Sequence, residues 1–330
     1  MSIISAVYPT LIDVATRTGS DKKIQAIAEL LNQTNEVLDD AVFIEGNDGS
    51  GHKTTIRSGL PTVAWRQLNY GVQPSKSTTV QVKDSAGMLE AYSEIDKALA
   101  DLNGNTKEFR ASEDMPFLEA MNQSMASTLF YGNTAVNPER FLGLTPRYND
   151  KTNAENKLNI LEGGGTGSTN TSVWLIVWGQ QTCHMFYPKG SMAGLSHKDL
   201  GEQTLVDAAG GKYQGYRSHF KWDAGLVLRD WRYVVRIANI DVAALTKNAA
   251  TGADLIDLMV QALEKVPNLS LGKPAFYCNR TISSFLRRQL ANKSNVNLTL
   301  ETVAGKKVLA FDGVPVRRTD ALLSTEARVV

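Results

Sequence analysis

Along this chain the spacing of apolar positions switches between three-to-four residues and two, and each switch marks a change of element. Ser20 reads as the N-cap of a helix running to about Leu38, with Ile24, Ile27, Leu31 and Leu38 on one face. An extended tail with Pro9 precedes it, and a strand-like Ala41-Val42-Phe43-Ile44 follows. From residue 52 to 84 the pattern becomes alternation: Val63, Trp65 and Gln67 interleave with Ala64, Arg66 and Leu68, and Val80 and Val82 with Thr79 and Gln81. A turn signal, Tyr70-Gly71-Val72-Gln73-Pro74-Ser75, separates the two runs. The pattern predicts a two-stranded ribbon with arms of roughly 14 residues, reaching on the order of 45 Å. A lone hairpin is marginal in water. This one has too few large apolar residues for a core of its own and is expected to lie on something else.

Tyr92, Ile95, Leu99 and Leu102 then predict a helix over Met88–Leu102. After Asn103-Gly104-Asn105, a long helix is predicted from Ser112-Glu113-Asp114 to about residue 131. Its first turn would carry the two carboxylates and Pro116, where the dipole and the missing donors favour them. Met115, Leu118, Met121, Met125 and Leu129 stripe it for about five turns, or roughly 30 Å. The second half is mixed. Val173–Trp178 and Thr182–Tyr187 read as a hairpin, and Tyr213–Trp222 and Leu226–Ile237 as strands. Helices are predicted at Ala253–Val266 and Thr281–Asn292, and short strands at Ala275–Cys278, Val296–Leu300, Val308–Phe311 and Val314–Arg317. Asp312-Gly313 is the hairpin turn between the last two strands. The fold class is α+β.

Composition narrows the function. The 330 residues hold 35 Lys+Arg against 34 Asp+Glu, a net charge of +1, with 42% apolar residues. That excludes a disordered chain and argues against binding nucleic acid by bulk charge. The length suits two packed units. Two cysteines, Cys183 and Cys278, build no disulfide framework, so a reducing cytoplasm is the expected site of synthesis. The start of the chain lacks the pattern of a signal peptide, and the longest strongly apolar run, Val173–Trp178, is far short of a bilayer span, so no membrane is expected.

Candidate chemistry is thin. The loop Gly46-Asn47-Asp48-Gly49-Ser50-Gly51-His52-Lys53-Thr54 approaches a phosphate-loop pattern. However, His52 puts Lys53 out of register, and Thr55-Ile56-Arg57-Ser58-Gly59-Leu60-Pro61 does not suit a helix. Gly163–Ser168 holds a fragment of a dinucleotide motif without strand-to-helix context. His52, His184, His197 and His219 show no ligand spacing, so no metal, cofactor or catalytic residue is assigned. A nucleotide-binding enzyme using Gly46–Thr54 stays only as a weaker alternative.

Charge patterning says more. Residues 49–83 carry Lys53, Arg57, Arg66, Lys76 and Lys83 and no acid. Residues 84–119 are acidic through Asp84, Glu90, Glu94, Asp96, Asp101, Glu108, Glu113, Asp114 and Glu119, against Lys97, Lys107 and Arg110. One reading is a pair of solvated faces that never meet. Alternatively, the basic ribbon of one copy (Lys53, Arg57, Trp65, Arg66, Lys76, Lys83) crosses the acidic helices of another (Glu90, Glu94, Asp96, Asp101, Glu113, Asp114), a contact that would set register more than affinity. Head-to-tail contacts between identical chains close into rings or propagate, which points to an assembly protein.

The order of parts, together with Asp230-Trp231-Arg232-Tyr233-Val234-Val235-Arg236-Ile237-Ala238-Asn239-Ile240-Asp241 and Phe311-Asp312-Gly313-Val314-Pro315-Val316-Arg317-Arg318-Thr319-Asp320-Ala321-Leu322-Leu323, resembles the HK97-type major capsid proteins of tailed bacteriophages. Those of the epsilon-15-like short-tailed phages are the nearest in kind, over essentially the whole chain. The resemblance implies an N-terminal arm (1–48), an extended loop (49–87), a peripheral domain (88–154) with its spine helix at 112–131, and an axial domain (155–310). Peripheral-domain strands would lie near 226–238, and the last strands (311–330) would return to the periphery. It further implies pentamers and hexamers in an icosahedral virion shell around double-stranded DNA, with a portal at one vertex. Because the arm passes directly into the ribbon, a separate scaffolding protein is expected and no processing of this chain. No Lys–Asn crosslink acceptor is matched, so a non-covalent shell with a cement protein is expected. A tail, fibre or pilus subunit is the alternative assembly.

Overall fold

The computed structural model describes residues 8–18, 23, 31–153, 155–207, 209–245, 253–291, 298–303 and 306–330. Two short helices, α1 (Leu11–Arg17) and α2 (Glu36–Asp40), precede strand β1 (Phe43–Glu45). Strands β2 (Gly51–Gly59) and β3 (Thr78–Ser85) pair antiparallel as a sheet of their own. Then come β4 (Gly87–Asp96), α3 (Lys97–Ala100) and α4 (Thr106–Tyr131). The second half holds β5 (Ile160–Glu162), β6 (Asn170–Trp178), β7 (Cys183–Tyr187), β8 (Ser196–Val206), β9 (Lys212–Leu228) and β10 (Val234–Asp241). It ends with α5 (Leu255–Lys265), β11 (Lys273–Cys278), α6 (Arg280–Ala291), β12 (Leu298–Val303), β13 (Lys306–Phe311) and β14 (Val314–Arg318).

Strand β6 is the centre, and every residue of it is buried. Its sequence, Ser172-Val173-Trp174-Leu175-Ile176-Val177-Trp178, is apolar on both faces because both faces carry a core. Val173, Leu175 and Val177 pack with residues of α5 and α6, such as Leu258, Met259, Ile282 and Leu286. Trp174, Ile176 and Trp178 point the other way, toward Met125, Leu129 and Phe130 of α4 and toward Phe141, Leu144 and Tyr148. Burial of side chains this size is worth about 1.5–3 kcal/mol each. Both edges of β6 are taken by antiparallel partners, β10 and β11. It therefore forms no hairpin with β7: the two meet at a single pair, Trp178 and Cys183, and β7 pairs with β1 and β9 instead.

The largest departure from the sequence pattern is at 88–102. Residues 87–96 are a strand, paired with β9 over its whole length, and helix begins only at Lys97. Its inward positions alternate as Gly87, Leu89, Ala91, Ser93 and Ile95. Three of these are small, so the period of two is hidden, and Tyr92 and Leu102, half of the supposed apolar helix face, are exposed. α4 starts at Thr106 rather than 112, so Glu113, Asp114 and Pro116 lie in its interior and not in its first turn. The upper part of its methionine stripe, Met115 and Leu118, is exposed, whereas Met121, Met125 and Leu129 are core. Ser20 and residues 24–30 of the helix expected up to Leu38 lie outside the described residues; residues 31–35 are not helical, and α2 is separate. The strand expected at 226–237 is interrupted: β9 ends at Leu228, Asp230 caps a short turn by accepting from the Arg232 amide (3.0 Å), and β10 begins at Val234. β8, polar and built around Gly201, has no counterpart in the sequence reading.

Helices α5 and α6, strands β11, β13 and β14, and the Asp312-Gly313 turn lie where the sequence puts them. Asp312 and Gly313 both take positive φ, 47° and 75°, as a tight two-residue hairpin turn requires. After β14 the chain returns to its own beginning. The Asp320 amide donates to the Thr34 carbonyl (2.9 Å) and Arg317 pairs with Asp40 (3.1 Å).

Candidate assembly interface

The ribbon is firmly held at its root and unsupported at its tip. At the root, His52 and Thr54 of β2 and Asp84 of β3 are buried. Asp84 pairs with Arg147 at 2.8 Å, and the same guanidinium donates to the Leu142 and Leu226 carbonyls. Asn47 clamps the start of β2 by accepting from the Lys53 amide and donating to the Lys53 carbonyl, both at 2.7 Å. Lys83 and Lys53 reach Asp48 at 3.0 and 3.5 Å, and the Lys83 contact holds that carboxyl below its ordinary range. The His52 and His184 rings meet edge to face, 5.6 Å apart. Burial, with Arg229 close by, keeps both imidazoles neutral and pushes His184 down to about 4.

The cross-strand ladder ends at Gly59 and Thr78, so the hydrogen-bonded arms are nine and eight residues long and shorter than the alternation suggests. Between them, residues 60–77 turn at Leu68-Asn69, slightly before the expected turn, with Asn69 left-handed at φ 65°. The Ser75 hydroxyl donates to the Thr62 carbonyl (2.7 Å). Leu60, Val63, Trp65, Leu68 and Tyr70 are all exposed; Val63 is 91% exposed and Trp65 entirely so. Water therefore covers an apolar strip whose burial would be worth on the order of 10 kcal/mol before association costs. Single exposed apolar residues need no explanation, but a run of five does.

The charge pattern is only partly available for such a contact. Lys53 and Lys83 are engaged by Asp48, whereas Arg57, Arg66 and Lys76 have no ion-pair partner among the described residues. The expected acidic helices are a strand and a helix, since Glu90, Glu94 and Asp96 sit on β4. Several of those acids are occupied within the chain. Glu90 pairs with Lys221 (3.3 Å), Glu94 with Arg217, and Glu113 with Arg17. Asp114 accepts from Ser218 (3.0 Å), Asp96 caps α3 through the Ala98 amide (2.8 Å), and Asp101 accepts from Thr106 (2.7 Å). β9 supplies Arg217, Ser218 and Lys221, and its pairing with β4 is hidden by the helix-like spacing of residues 88–102.

The loop before Lys53 passes into strand β2 and not into a helix, and the Lys53 ammonium points to Asp48. It therefore lacks the helix N-terminus that a phosphate loop needs. Cys183 and Cys278 are free and buried, and burial pushes both thiols up to about 12. No cluster of three or more His, Cys, Asp or Glu able to hold a metal occurs among the described residues, and no described helix is long and apolar enough to cross a membrane.

Two comparisons point the same way. The family model of the major capsid protein GP7 matches residues 19–330. The structure of bacteriophage Epsilon15 is similar with a TM-score of 0.80 at 41% identity, covering 100% of this chain and 99% of that one. The capsid of bacteriophage JBD30, at 9% identity and a TM-score of 0.49 over 89% of this chain and 93% of that one, is too distant to carry an argument. No curated protein matches.

Proposed function

The chain belongs to the family of GP7 major capsid proteins, and on that premise we propose that its extended loop completes its fold on a neighbouring copy. It is a major capsid protein of a tailed bacteriophage, of the HK97-type α+β fold, and not an enzyme. Copies of it form the multimeric shell of the virion.

The observation that carries the loop proposal is the exposed apolar run from Leu60 to Tyr70, on a ribbon whose root alone is anchored. A neighbour's surface covers this strip, with Trp65 as the central anchor and Arg66, Arg57 and Lys76 as the charges that set register. Residues 49–87 are then the inter-subunit loop, 1–48 the arm, 88–154 with α4 the peripheral domain, 155–310 most of the axial domain, and 311–330 the returning strands. The subunits group as pentamers and hexamers around double-stranded DNA held without sequence-specific contacts. A separate scaffolding protein guides assembly, a portal occupies one vertex, a cement protein reinforces a non-covalent lattice, and synthesis takes place in the bacterial cytoplasm. The balanced charge supports this, because a strongly basic wall would bind the packaged DNA and a strongly acidic one would repel it.

Electron microscopy of particles from cells that produce the chain together with its scaffolding protein, and of the double variant Trp65→Ser with Arg66→Glu produced in the same way, tests the loop's role. The expected result is closed shells from the parent and folded, unassembled subunits from the variant, with an unchanged thermal midpoint. Normal shells from the variant would refute it, and open fibres from the parent would favour a tail-like assembly.

A further inference from the structure

Beneath the ribbon's root lies a cleft of about 600 Å³ between residues 54–57 of β2 and the corner at 229–232. Three guanidiniums line it, and two of them, Arg57 and Arg229, have no carboxylate partner among the described residues. The cleft's own carboxylate, Asp230, is spent: Arg232 holds it from two nitrogens, Nε to Oδ1 at 3.0 Å and Nη2 to Oδ2 at 2.6 Å. Within the Arg229 guanidinium the Nε is buried without a partner, and so is the Thr54 hydroxyl beside it on the lining. Arg229 Nη2 meets only the neutral His52 ring, at 3.3 Å. Ile56 and Trp231 supply an apolar wall. Arg229 is half-buried, and a half-buried cation with an unmet donor is costly unless an anion meets it; Arg57, also on the lining, is exposed.

We infer that this cleft receives a carboxylate side chain from a second copy of the chain, bound by the Arg57 and Arg229 guanidiniums. A planar guanidinium matches a carboxylate with two parallel hydrogen bonds, and a pair of them matches little else that a protein surface offers. The second copy is the occupant because the chain carries the matching surplus. Its bases and acids are nearly equal in number, and Glu108 and Glu139 are exposed with no ion-pair partner among the described residues. In an assembly of identical chains, cations left unmatched in one copy are met by carboxylates left unmatched in the next. The cleft lies toward the anchored end of the ribbon and shares Arg57 with the strip, so it deepens the contact proposed for the loop.

The inference rests on the conclusion that copies pack into a shell, and the experiment separates the two. Arg57→Lys keeps the charge and places an amine in the cleft that a carbodiimide can join to a touching carboxylate. Shells of this variant, confirmed by microscopy, are treated with the reagent, run on a denaturing gel and mapped by mass spectrometry. The expected result is a covalent dimer, absent from the parent, whose crosslinked peptides join position 57 to an Asp or Glu of this same sequence. Arg229→Lys provides the same readout from the other side of the cleft. Intact shells in which position 57 is joined only within its own chain, to another protein, or to nothing would overturn the cleft inference while leaving shell formation in place. Failure of the parent to form shells would instead remove the assembly reading.

Discussion

At the scale of single residues, the buried polar groups decide how the fold responds to its surroundings. His184 has no exposed surface; burial and the nearby Arg229 and His52 disfavour its protonation, opposed only by the Gly179 backbone, while Asp84 acts on the neighbouring His52. The folded value of His184, about 4, lies below the 6.5 of the unfolded chain. The neutral ring's contribution is therefore complete above pH 6.5 and is lost as the pH falls from there toward 4, for about 3 kcal/mol in all. Thermal unfolding of the subunit is expected to weaken over that window, and His184→Leu is expected to flatten the dependence. An unchanged pH profile in that variant would assign the loss to other groups. A second buried group holds the end of the chain. Glu326 accepts from Arg236 (2.9 Å), Tyr131 (2.5 Å) and Ser172, while Arg236 also donates to the Tyr148 carbonyl (2.8 Å). Removing one member of such a pair leaves the other charge buried and costs about 3–5 kcal/mol. Glu326→Ala should lower the unfolding free energy measured in denaturant by that amount, whereas loss of the exposed partner in Arg280→Ala should cost under about 1 kcal/mol.

At the scale of elements, legibility in the sequence follows from where each segment gets its stability. α5, α6, β11 and β14 each present one apolar face, or a short apolar run bounded by turn residues, to the core, so their periods are clean. β4 is stabilised by ten cross-strand pairs with β9, a partner more than a hundred residues away, and its inward face is made partly of Gly, Ala and Ser. Nothing local distinguishes it from a polar helix, so the sequence pattern assigns Glu90, Glu94 and Asp96 to a helix that is a strand. The ribbon was legible for the opposite reason, because its alternation with no core of its own already implied a support elsewhere. Its tip was less so, since residues 60–77 keep a strand-like pattern without a ladder to hold it. The cleft around Arg229 was not legible at all: Asp230-Trp231-Arg232 could be quoted as a string, but only the fold brings it under β2. Burial also sets what each part of α4 tolerates. Met125 is 3% exposed and Met115 is 58% exposed on the same stripe. Met125→Ala should therefore cost about 2–5 kcal/mol in urea unfolding and Met115→Ala almost nothing to the subunit, a contrast the sequence stripe alone would not foresee.

At the scale of the whole molecule, the question is which force brings copies together. The contrast between residues 49–83 and 84–119 suggests long-range attraction, but Lys53 and Lys83 share the Asp48 carboxylate, which offsets one of their two charges, and Glu90, Glu94 and Glu113 are paired with cations of their own chain. What remains outward is the apolar run from Leu60 to Tyr70, with Arg57, Arg66 and Lys76 beside it. Screening at about 1 M salt shrinks the reach of exposed charge to roughly 3 Å, while excluded anions such as sulfate strengthen apolar burial. A shell held mainly by the ribbon's apolar face should thus assemble in sodium sulfate at least as well as in dilute buffer. In sodium chloride its assembly rate, followed by light scattering, should slow by less than about tenfold between about 0.1 and 1 M, against the steeper fall of charge-steered association. Collapse of assembly in both salts would mean that charge, including contacts such as the one drawn for Arg57 and Arg229, contributes more than the exposed apolar strip. Loss in chloride with rescue in sulfate would mean that the two act together, with charge setting register and apolar burial supplying the cohesion.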